Sequence, residues 1–468
     1  MEEKFTQIEE IISPEENLPE IEELEKIISE KRFSDLKQIA ESIPPADVAE
    51  LLGNMDVRHC ATAYRLLPKE LAAEVFVEMD TEVKEHLINS FTDRELSLML
   101  DELYIDDTVD IIEEMPAVVV KRIIKNSQKE NRDIINKLLK YPKDCAGAIM
   151  TTEYVRFKKD MTVDEALSHV RKVAIDKETI YTCYVTDEKR RLIGIVTAKE
   201  LLISPLDKTL GDIMEESVIF ARTTDDKEEV ALKFDRYGFL ALPVVDAECR
   251  LVGIITVDDA ISVIKEEAEE DFAKMAAITP SETTYLKTSA FSLFKSRIVW
   301  LLFLMVSATF SSAILNKFES LLPAVLLIFV PMLMGTGGNG GGQSSVTIIR
   351  AISLGEVEFS NLARIIWKEV RVGAFCGVTL GAVAFLKVLF IDRWVMQNPA
   401  VTTSVALAVA ISIAVTIIVS KLVGSMLPLI AKKLGFDPSV MASPFITTLV
   451  DVLALLLYFA VSYLLLPI

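Results

Sequence analysis

The 468-residue chain carries 69 acidic and 49 basic residues, and 51% of its residues are hydrophobic. A mean hydropathy of +0.36 argues against an ordinary soluble protein, and the net charge of −20 argues against a nucleic-acid partner. Residues 1–288 hold 62 of the 69 acidic residues, whereas residues 289–468 are apolar and mildly basic. This division predicts an acidic soluble half followed by a membrane half.

Residues 1–42 form an acidic N-terminal segment that lacks the basic and apolar stretches of a signal peptide. We therefore expect the first half to remain in the cytoplasm. The five cysteines form no C-x-x-C pair and the three histidines are far apart, so we expect reduced thiols and no zinc site. The motifs of nucleotide hydrolases, serine hydrolases and zinc proteases are missing from the sequence, and we expect no enzyme activity.

Residues 43–147 contain a twelve-residue repeat. Apolar residues recur at this spacing at Ile43, Met55, Leu67, Met79, Phe91, Leu103 and Met115. Pro, Asp or Thr often follows, as expected where a helix begins. One short helix cannot bury its apolar side alone, so the repeat predicts stacked helices in an α-helical superhelical N domain.

Residues 148–209 and 210–257 are predicted to be two copies of one α/β module. The stretch Thr182–Leu201 is echoed by Ala241–Ala260, so that Arg191 matches Arg250. Thr162 with Glu165 predicts a capping box before the first copy, and Asp225 with Glu228 predicts another before the second.

This duplication resembles a cystathionine-β-synthase (CBS) domain pair, because both copies close with Gly-Ile-Val/Ile-Thr followed by an acidic residue. The resemblance implies that these Thr and acidic side chains hold the ribose of ATP or another adenine nucleotide. The alternative is that they only cap the following helix. The residues concerned are Thr197, Glu200, Thr256 and Asp259.

Residues 258–288 are predicted to form an acidic connecting helix, since apolar residues recur at helical spacing beside a run of carboxylates. The run is either a solvated face or a divalent-cation sensor next to a pore entrance.

Residues 289–468 are predicted to be a transmembrane domain of five helices. The apolar segments are about 298–315, 321–352, 372–391, 401–430 and 441–466. Basic residues concentrate in the loops on one side, which predicts a multi-pass protein of the inner (plasma) membrane with its N-terminus cytoplasmic and its C-terminus extracytoplasmic.

The second of these segments contains the glycine-rich run Gly335–Ser345. We expect it to interrupt the helix at membrane depth, which is tolerated where backbone lines a pore or binding site. Close packing of helices through small residues is the alternative.

The fifth segment carries one ionisable residue, Asp451. A carboxylate at this depth costs roughly 2.5–3.5 kcal/mol on the insertion scale and needs a partner or water. Asp451 either lies on a cation pathway or forms a buried ion pair with Lys421, a lysine that can also snorkel toward the inner surface.

Two motifs carry a wider resemblance: Gly337-Gly338-Asn339 followed by Gln343, and Asp437-Pro438 followed by Leu449-Val450-Asp451. With the helical domain, the CBS pair and five membrane segments, nearly the whole chain resembles the MgtE family of magnesium channels. The chain departs from the family pattern at Gly340, Gly342 and Ser262.

The MgtE resemblance implies a homodimer whose pore lies on the two-fold axis. Asp451 of each subunit would hold the ion, with help from backbone carbonyls near Thr447 and from Asn339. Separately from the resemblance, we expect regulatory Mg²⁺ to bind carboxylates of the N domain, CBS pair and connecting helix, since these acidic faces repel one another when Mg²⁺ is scarce. The carboxylates are Asp101, Asp106, Asp107, Asp259, Glu267, Glu270 and Asp271.

The resulting hypothesis is a Mg²⁺ channel that mediates passive influx and that cytosolic Mg²⁺ closes. An ion-coupled carrier or exporter for Mg²⁺, Mn²⁺ or Co²⁺ is a second interpretation, and a nucleotide-responsive receptor that conducts nothing is a third.

Overall fold

The computed structural model describes residues 19, 21–280, 285, 288–319, 323–441 and 443–466. Residues 1–18 and 20 of the acidic segment predicted at residues 1–42 lie outside the described residues. The chain divides into two compact units, Met1–Ile264 and Lys265–Ile468.

Ten short helices are present in the described residues at the start of unit one; the last eight fall within the predicted twelve-residue repeat, and the first two lie in the predicted acidic segment. They are α1 (Ile21–Ser29), α2 (Phe33–Ser42), α3 (Pro45–Gly53), α4 (Val57–Tyr64), α5 (Lys69–Val77), α6 (Thr81–Ser90), α7 (Asp93–Leu100), α8 (Ile105–Glu114), α9 (Ala117–Asn126) and α10 (Lys129–Leu138). Helix α5 packs against α3 and α7, and α7 in turn packs against α9. The repeated apolar residues supply this core: Met55, Met79 and Met115 are all buried. The superhelical N domain is confirmed.

The residues predicted to begin the repeat helices act as their N-caps. Pro44, Pro68 and Pro116 precede α3, α5 and α9, where the missing proline N–H is not needed by the helix. Thr92 and Glu95 form a reciprocal capping box at α7. The polar residue at this junction therefore satisfies backbone donors that a short helix leaves unpaired.

The second part of unit one is a duplicated α/β module. The first copy contains β1 (Tyr154–Lys158), α11 (Val163–Val173), β2 (Thr179–Thr186), β3 (Leu192–Thr197) and α12 (Ala198–Ile203). After α13 (Leu210–Ile213), the second copy contains β4 (Ala221–Arg222), α14 (Lys227–Tyr237), β5 (Ala241–Val245), β6 (Leu251–Thr256) and α15 (Val257–Met275).

Both copies have the same sheet topology. Strands β1 and β2 pair in parallel and β2 and β3 antiparallel, and β4, β5 and β6 repeat this order. The two copies meet at an antiparallel bridge between Arg191 and Arg250, the pair that the sequence alignment matched. The CBS-type pair is confirmed.

One predicted cap is wrong by a residue. Asp226, not Asp225, is the N-cap of α14, and its side chain accepts hydrogen bonds from the N–H groups of Glu228 and Glu229. The Asp225 carboxylate instead accepts from the N–H of Arg222 in β4. The turn between β4 and α14 is one residue longer than the sequence pattern indicates.

Unit two contains α16 (Ala290–Glu319), α17 (Ala324–Leu327), α18 (Val330–Ser353), α19 (Leu362–Lys387), α20 (Thr403–Lys433) and α21 (Ser443–Leu465). A π-helical stretch, Val388–Val395, extends α19. Five spans in the described residues are long and apolar enough to cross a membrane: Ala290–Phe318, Ala324–Ser353, Phe359–Val395, Thr403–Lys433 and Pro438–Leu465. They match the five predicted segments.

The predicted interruption at Gly335–Ser345 is wrong, because α18 runs through the glycine-rich run as one α-helix. The structure shows the alternative expectation, close packing of helices through small residues. A Cβ on Gly337 would lie 2.8 Å from Thr416 Cγ2 of α20, and one on Gly338 would lie 2.8 Å from Thr447 Cγ2 of α21. A Cβ on Gly424 would collide with the carbonyl oxygen of Gly341. Packing therefore offsets the low helix propensity of glycine, which is about 1 kcal/mol per residue.

Replacing Gly424 with alanine should destabilise unit two, because the new methyl group can be accommodated only if α20 moves away from the backbone of α18. We expect a cost of about 1–3 kcal/mol and a lower thermal unfolding midpoint in detergent. Gly335→Ala is the matched control, since a Cβ there meets no atom within 4 Å and removes a helical glycine. Equal midpoints for Gly424→Ala and the parent protein would contradict the packing.

Candidate functional site

Asp451 lies on α21, the helix that packs closely against the glycine-rich α18. Its neighbour Val450 contacts the Gly337 position, and Thr447, one turn earlier, contacts the Gly338 position. Asn339 follows Gly338 on α18 and is exposed. The structure therefore places the three predicted pore residues on the two helices that cross here.

The Asp451 carboxylate is half-buried, and among the described residues its Oδ1 atom is buried without a hydrogen-bond partner. Burial of a charged group without compensation is costly in a protein interior. A hydrated cation supplies both positive charge and hydrogen-bond donors, so it suits this oxygen.

The alternative of an Asp451–Lys421 ion pair is not what the described residues show. Lys421 is 6% exposed, so it does not snorkel to the surface, and its Nζ donates to Ser344 Oγ at 3.4 Å. Ser344 Oγ in turn donates to Glu369 Oε2 at 2.7 Å. Lys421 therefore forms a polar group with residues of α18 and α19 and does not pair with Asp451.

An open cavity of about 860 Å³ adjoins this polar group. It is lined by residues of α18, α19 and α20, namely Asn339, Gly342, Gln343, Ser344, Val346, Thr347, Glu369, Val372 and Lys421. Asn339 is thus the predicted pore residue that faces the cavity. Sequence reasoning missed Glu369, because it stands between the basic residues Lys368 and Arg371, just before the third predicted apolar segment at about 372–391.

Carboxylates gather in unit one around the start of α8. Asp106, Glu153 and Glu178 each offer a carboxylate oxygen, and these atoms all lie within 4.8 Å of one another. Asp106 Oδ1 and Glu178 Oε2 are buried with no hydrogen-bond partner in the described structure. Three acidic oxygens at this spacing fit a divalent cation with oxygen ligands.

The backbone explains why Glu153 and Glu178 meet. Each residue immediately precedes one of the parallel strands β1 and β2, and the N–H of Glu178 donates to the carbonyl oxygen of Glu153 at 3.0 Å. The sequence signal was an acidic residue just before each of two strands of one module. It becomes informative only once the pairing of those strands is known.

The electrostatics of this group are unfavourable without a cation. Burial, followed by the like charges of Asp107 and Glu153, raises the pKa of Asp106 to about 7. Burial and then the charge of Asp106 raise the pKa of Glu178 to about 8. Burial and the charge of Asp259 likewise raise the pKa of Asp107 to about 7, and burial and Asp106 raise that of Asp259 to about 7. The structure therefore brings together the predicted Asp106, Asp107 and Asp259.

Asp101 does not join this acidic group in the residues described. It is the exposed C-cap of α7, one helix earlier. The sequence analysis assigned Asp101 and Asp106 together to the acidic carboxylates of the N domain, but Asp101 ends α7 whereas Asp106 lies in the first turn of α8.

The Thr and acidic residues at the ends of β3 and β6 are engaged as helix caps. Thr197 and Glu200 form a capping box at α12, with Thr197 Oγ1 donating to Glu200 Oε2 at 3.0 Å. Thr256 Oγ1 donates to Asp259 Oδ2 at 2.7 Å in the first turn of α15. The capping alternative is therefore present in both copies, and Asp259 is shared with the acidic group.

The end of α15 belongs to unit two and forms hydrogen bonds and ion pairs within that unit. Asp271 accepts hydrogen bonds from the hydroxyls of Ser439 and Ser353, the second at 3.2 Å. Lys274 Nζ lies 2.6 Å from carboxylate oxygens of both Glu270 and Asp437. Burial alone would raise the pKa of Asp437, but its bond to Lys274 and further hydrogen bonds hold that pKa below the usual value. Glu270 and Asp271 thus already have donors, whereas Glu267 has interactions of its own.

Family models match most of the chain. A model described as a divalent cation transporter, MgtE, matches residues 330–461, and the MgtE intracellular N domain matches residues 43–144. The CBS domain matches residues 146–206 and 210–266.

Full-length relatives and a solved structure agree with these matches. The magnesium transporter MgtE of Thermus thermophilus is 36% identical over 95% of this chain and 98% of its own length. The Bacillus subtilis protein of the same name is 31% identical over 93% of this chain and 95% of its own. The crystal structure of the cytosolic domain of the Mg²⁺ channel MgtE in complex with ATP is 35% identical, covers 52% of this chain and all of its own, and superposes with a TM-score of 0.50. This chain therefore belongs to the MgtE family.

Proposed function

We propose that the protein is a Mg²⁺ channel that mediates passive influx and that closes when cytosolic Mg²⁺ binds its acidic groups. The observation that carries the proposal is the Asp451 carboxylate, which has a buried oxygen without a hydrogen-bond partner in the described membrane half. The names of the full-length relatives support Mg²⁺ as the transported ion.

Passive movement is energetically sufficient for influx. A divalent ion that enters a compartment with an inside-negative potential gains about 4.6 kcal/mol per 100 mV. Mg²⁺ releases its water reluctantly, so a site with few carboxylates suits a hydrated ion that must also leave again. One Asp451 from each subunit of a homodimer, with carbonyls near Thr447 and the side chain of Asn339, meets this requirement.

The regulatory site is proposed at Asp106, Asp107, Asp259, Glu153 and Glu178. Without a cation these carboxylates repel one another, and a bound Mg²⁺ removes the repulsion. A ligand that binds one arrangement preferentially stabilises that arrangement. Glu267, Glu270 and Asp271 of the connecting helix are proposed as further ligands of regulatory Mg²⁺. A bound ion would compete there with the bonds that Glu270 and Asp271 already make within unit two.

An adenine nucleotide is proposed to bind the CBS pair, where Thr197, Glu200, Thr256 and Asp259 would hold the ribose. The support is the related cytosolic domain, whose crystal structure is a complex with ATP. Nucleotide binding at these residues competes with their capping bonds. The N-terminus is proposed to lie in the cytoplasm and the C-terminus outside.

Asp451→Asn should reduce Mg²⁺ entry into liposomes by at least roughly tenfold, because the neutral amide loses the charge that attracts the ion. Entry is measured with a Mg²⁺-sensitive dye trapped inside the vesicles, at equal amounts of inserted protein. Asp451→Glu, which keeps the charge, is the control and should retain more flux than the asparagine variant.

The same experiment separates a channel from a coupled carrier. Entry through the parent protein should rise when a potassium gradient makes the vesicle interior negative, without any added gradient of a coupling ion. Undiminished entry through Asp451→Asn would refute the proposed pore site, and entry that requires a coupling-ion gradient would favour the carrier.

Mg²⁺ should raise the thermal unfolding midpoint of the full-length protein more at pH 8 than at pH 6. The reason is that Asp106, Asp107, Asp259 and Glu178 have pKa values of about 7 to 8, so protons compete with Mg²⁺ as the pH falls. Without Mg²⁺ the protein itself should become more stable as the pH falls from 8 toward 5. The raised pKa values mean that the folded state binds more protons than the unfolded state over this range.

Glu178→Gln is expected to weaken the Mg²⁺-dependent rise in the unfolding midpoint. Asp101→Asn, the exposed carboxylate outside the acidic group, is the matched control and should behave as the parent does. An equal loss in both variants would show that Mg²⁺ acts through general screening rather than at the site.

A further inference from the structure

One face of α18 presents a row of polar side chains to the 860 Å³ cavity. Asn339, Gln343 and Thr347 follow one another at intervals of four residues, so they lie on the same side of the helix. All three are exposed, although α18 belongs to a membrane span. Polar groups at membrane depth face water or protein rather than lipid, which indicates that the cavity is wet.

Three helices place charged or polar groups at one wall of this cavity. Ser344 of α18 stands between Glu369 of α19 and Lys421 of α20, accepting from Lys421 Nζ at 3.4 Å and donating to Glu369 Oε2 at 2.7 Å. The described residues contain no direct ion pair between Glu369 and Lys421. One hydroxyl group therefore bridges a separated pair of opposite charges.

Because Glu369 and Lys421 are not in direct contact, the Glu369 carboxylate can still bind a cation. A direct ion pair would occupy the Glu369 carboxylate, whereas the bridge uses one hydrogen bond and leaves lone pairs available, since a carboxylate accepts about four. Lys421 is buried and fixed, so its positive charge weakens the attraction of Glu369 for another cation without occupying the carboxylate.

Building on the proposed channel function, we propose that Glu369 is the ligand of a second subsite for a hydrated divalent cation in this cavity, and that Lys421 acts through Ser344 to keep that subsite weak. Conduction requires sites that bind an ion well enough to admit it and weakly enough to release it. Asn339, Gln343 and Thr347 offer hydrogen-bond partners to the water shell that Mg²⁺ retains. Lys421 is a positioning residue, because it sets the affinity without touching the ion.

The two charged residues have opposite effects on this subsite, which gives the test. Mg²⁺ entry into liposomes is measured against external Mg²⁺ for the full-length parent, Glu369→Gln, Lys421→Met and the double variant. Glu369→Gln should raise the half-saturating Mg²⁺ concentration by roughly threefold to tenfold, and Lys421→Met should lower it by a similar factor and also lower the saturating rate. In the double variant the effect of Lys421→Met should vanish, because the carboxylate on which it acts is gone.

Glu356→Gln, an exposed carboxylate outside the cavity, is the matched control and should leave the half-saturating concentration unchanged. Shifts in the same direction for Glu369→Gln and Lys421→Met would indicate disturbed packing and overturn the proposal, as would an unchanged Glu369→Gln. If Glu369→Gln fails to insert, Lys421→Met decides alone, and an unchanged half-saturating concentration overturns the subsite.

Asp451→Asn, measured alongside, separates this proposal from the channel proposal. If Asp451→Asn conducts as the parent does, the pore assignment fails. If Asp451→Asn loses entry while Glu369→Gln matches the parent at every Mg²⁺ concentration, only the second subsite fails.

Discussion

The close contact of α18 with α20 and α21 determines the geometry of the membrane half. Glycines at positions 337, 338, 341 and 424 allow backbone and small side chains to meet where any larger residue would hold the helices apart. In a membrane the association of helices depends on such packing, because lipid gives no hydrophobic advantage to contact between helices. The glycine contacts bring Thr447 and Val450, the neighbour of Asp451, against α18. The polar row of α18 faces the cavity instead.

Carboxylates with too few donors occur in both units. Asp451 and the group around Asp106 each contain a buried acidic oxygen that no described residue satisfies. Buried charges in stable proteins are normally paired or bound to metal ions. A cation would satisfy both locations. They differ in the number of carboxylates: a single carboxylate per chain favours weak binding of an ion, whereas several carboxylates favour tighter binding.

The sequence predicted features that depend on neighbours along the chain. The twelve-residue repeat predicted short stacked helices because helix phase and capping are local properties, and Thr92 and Pro68 are found where the helices begin. The apolar lengths predicted five membrane helices for the same reason. The glycine-rich run was misjudged, since its helix is stabilised by α20 and α21, whose contacts a single helix does not reveal.

The candidate sites also differ in whether they depend on neighbours along the chain. Asp451 could be singled out as one carboxylate in an apolar segment, whereas Glu153 and Glu178 meet only through the pairing of β1 with β2. Glu369 was hidden among basic neighbours, and its meaning depends on two other helices.

Lys274 provides a cation at the end of α15 that is part of the chain. Its ammonium group lies between the carboxylates of Glu270 and Asp437, a position that a free divalent ion could also fill. Because the Lys274 ammonium group is covalently attached to the chain, dilution or a chelator cannot remove it. Its local concentration does not depend on the ion concentration of the cell. The contact between the end of α15 and the turn before α21 therefore needs no dissolved ion, and an ion that bound there would have to displace a charge that the chain itself supplies.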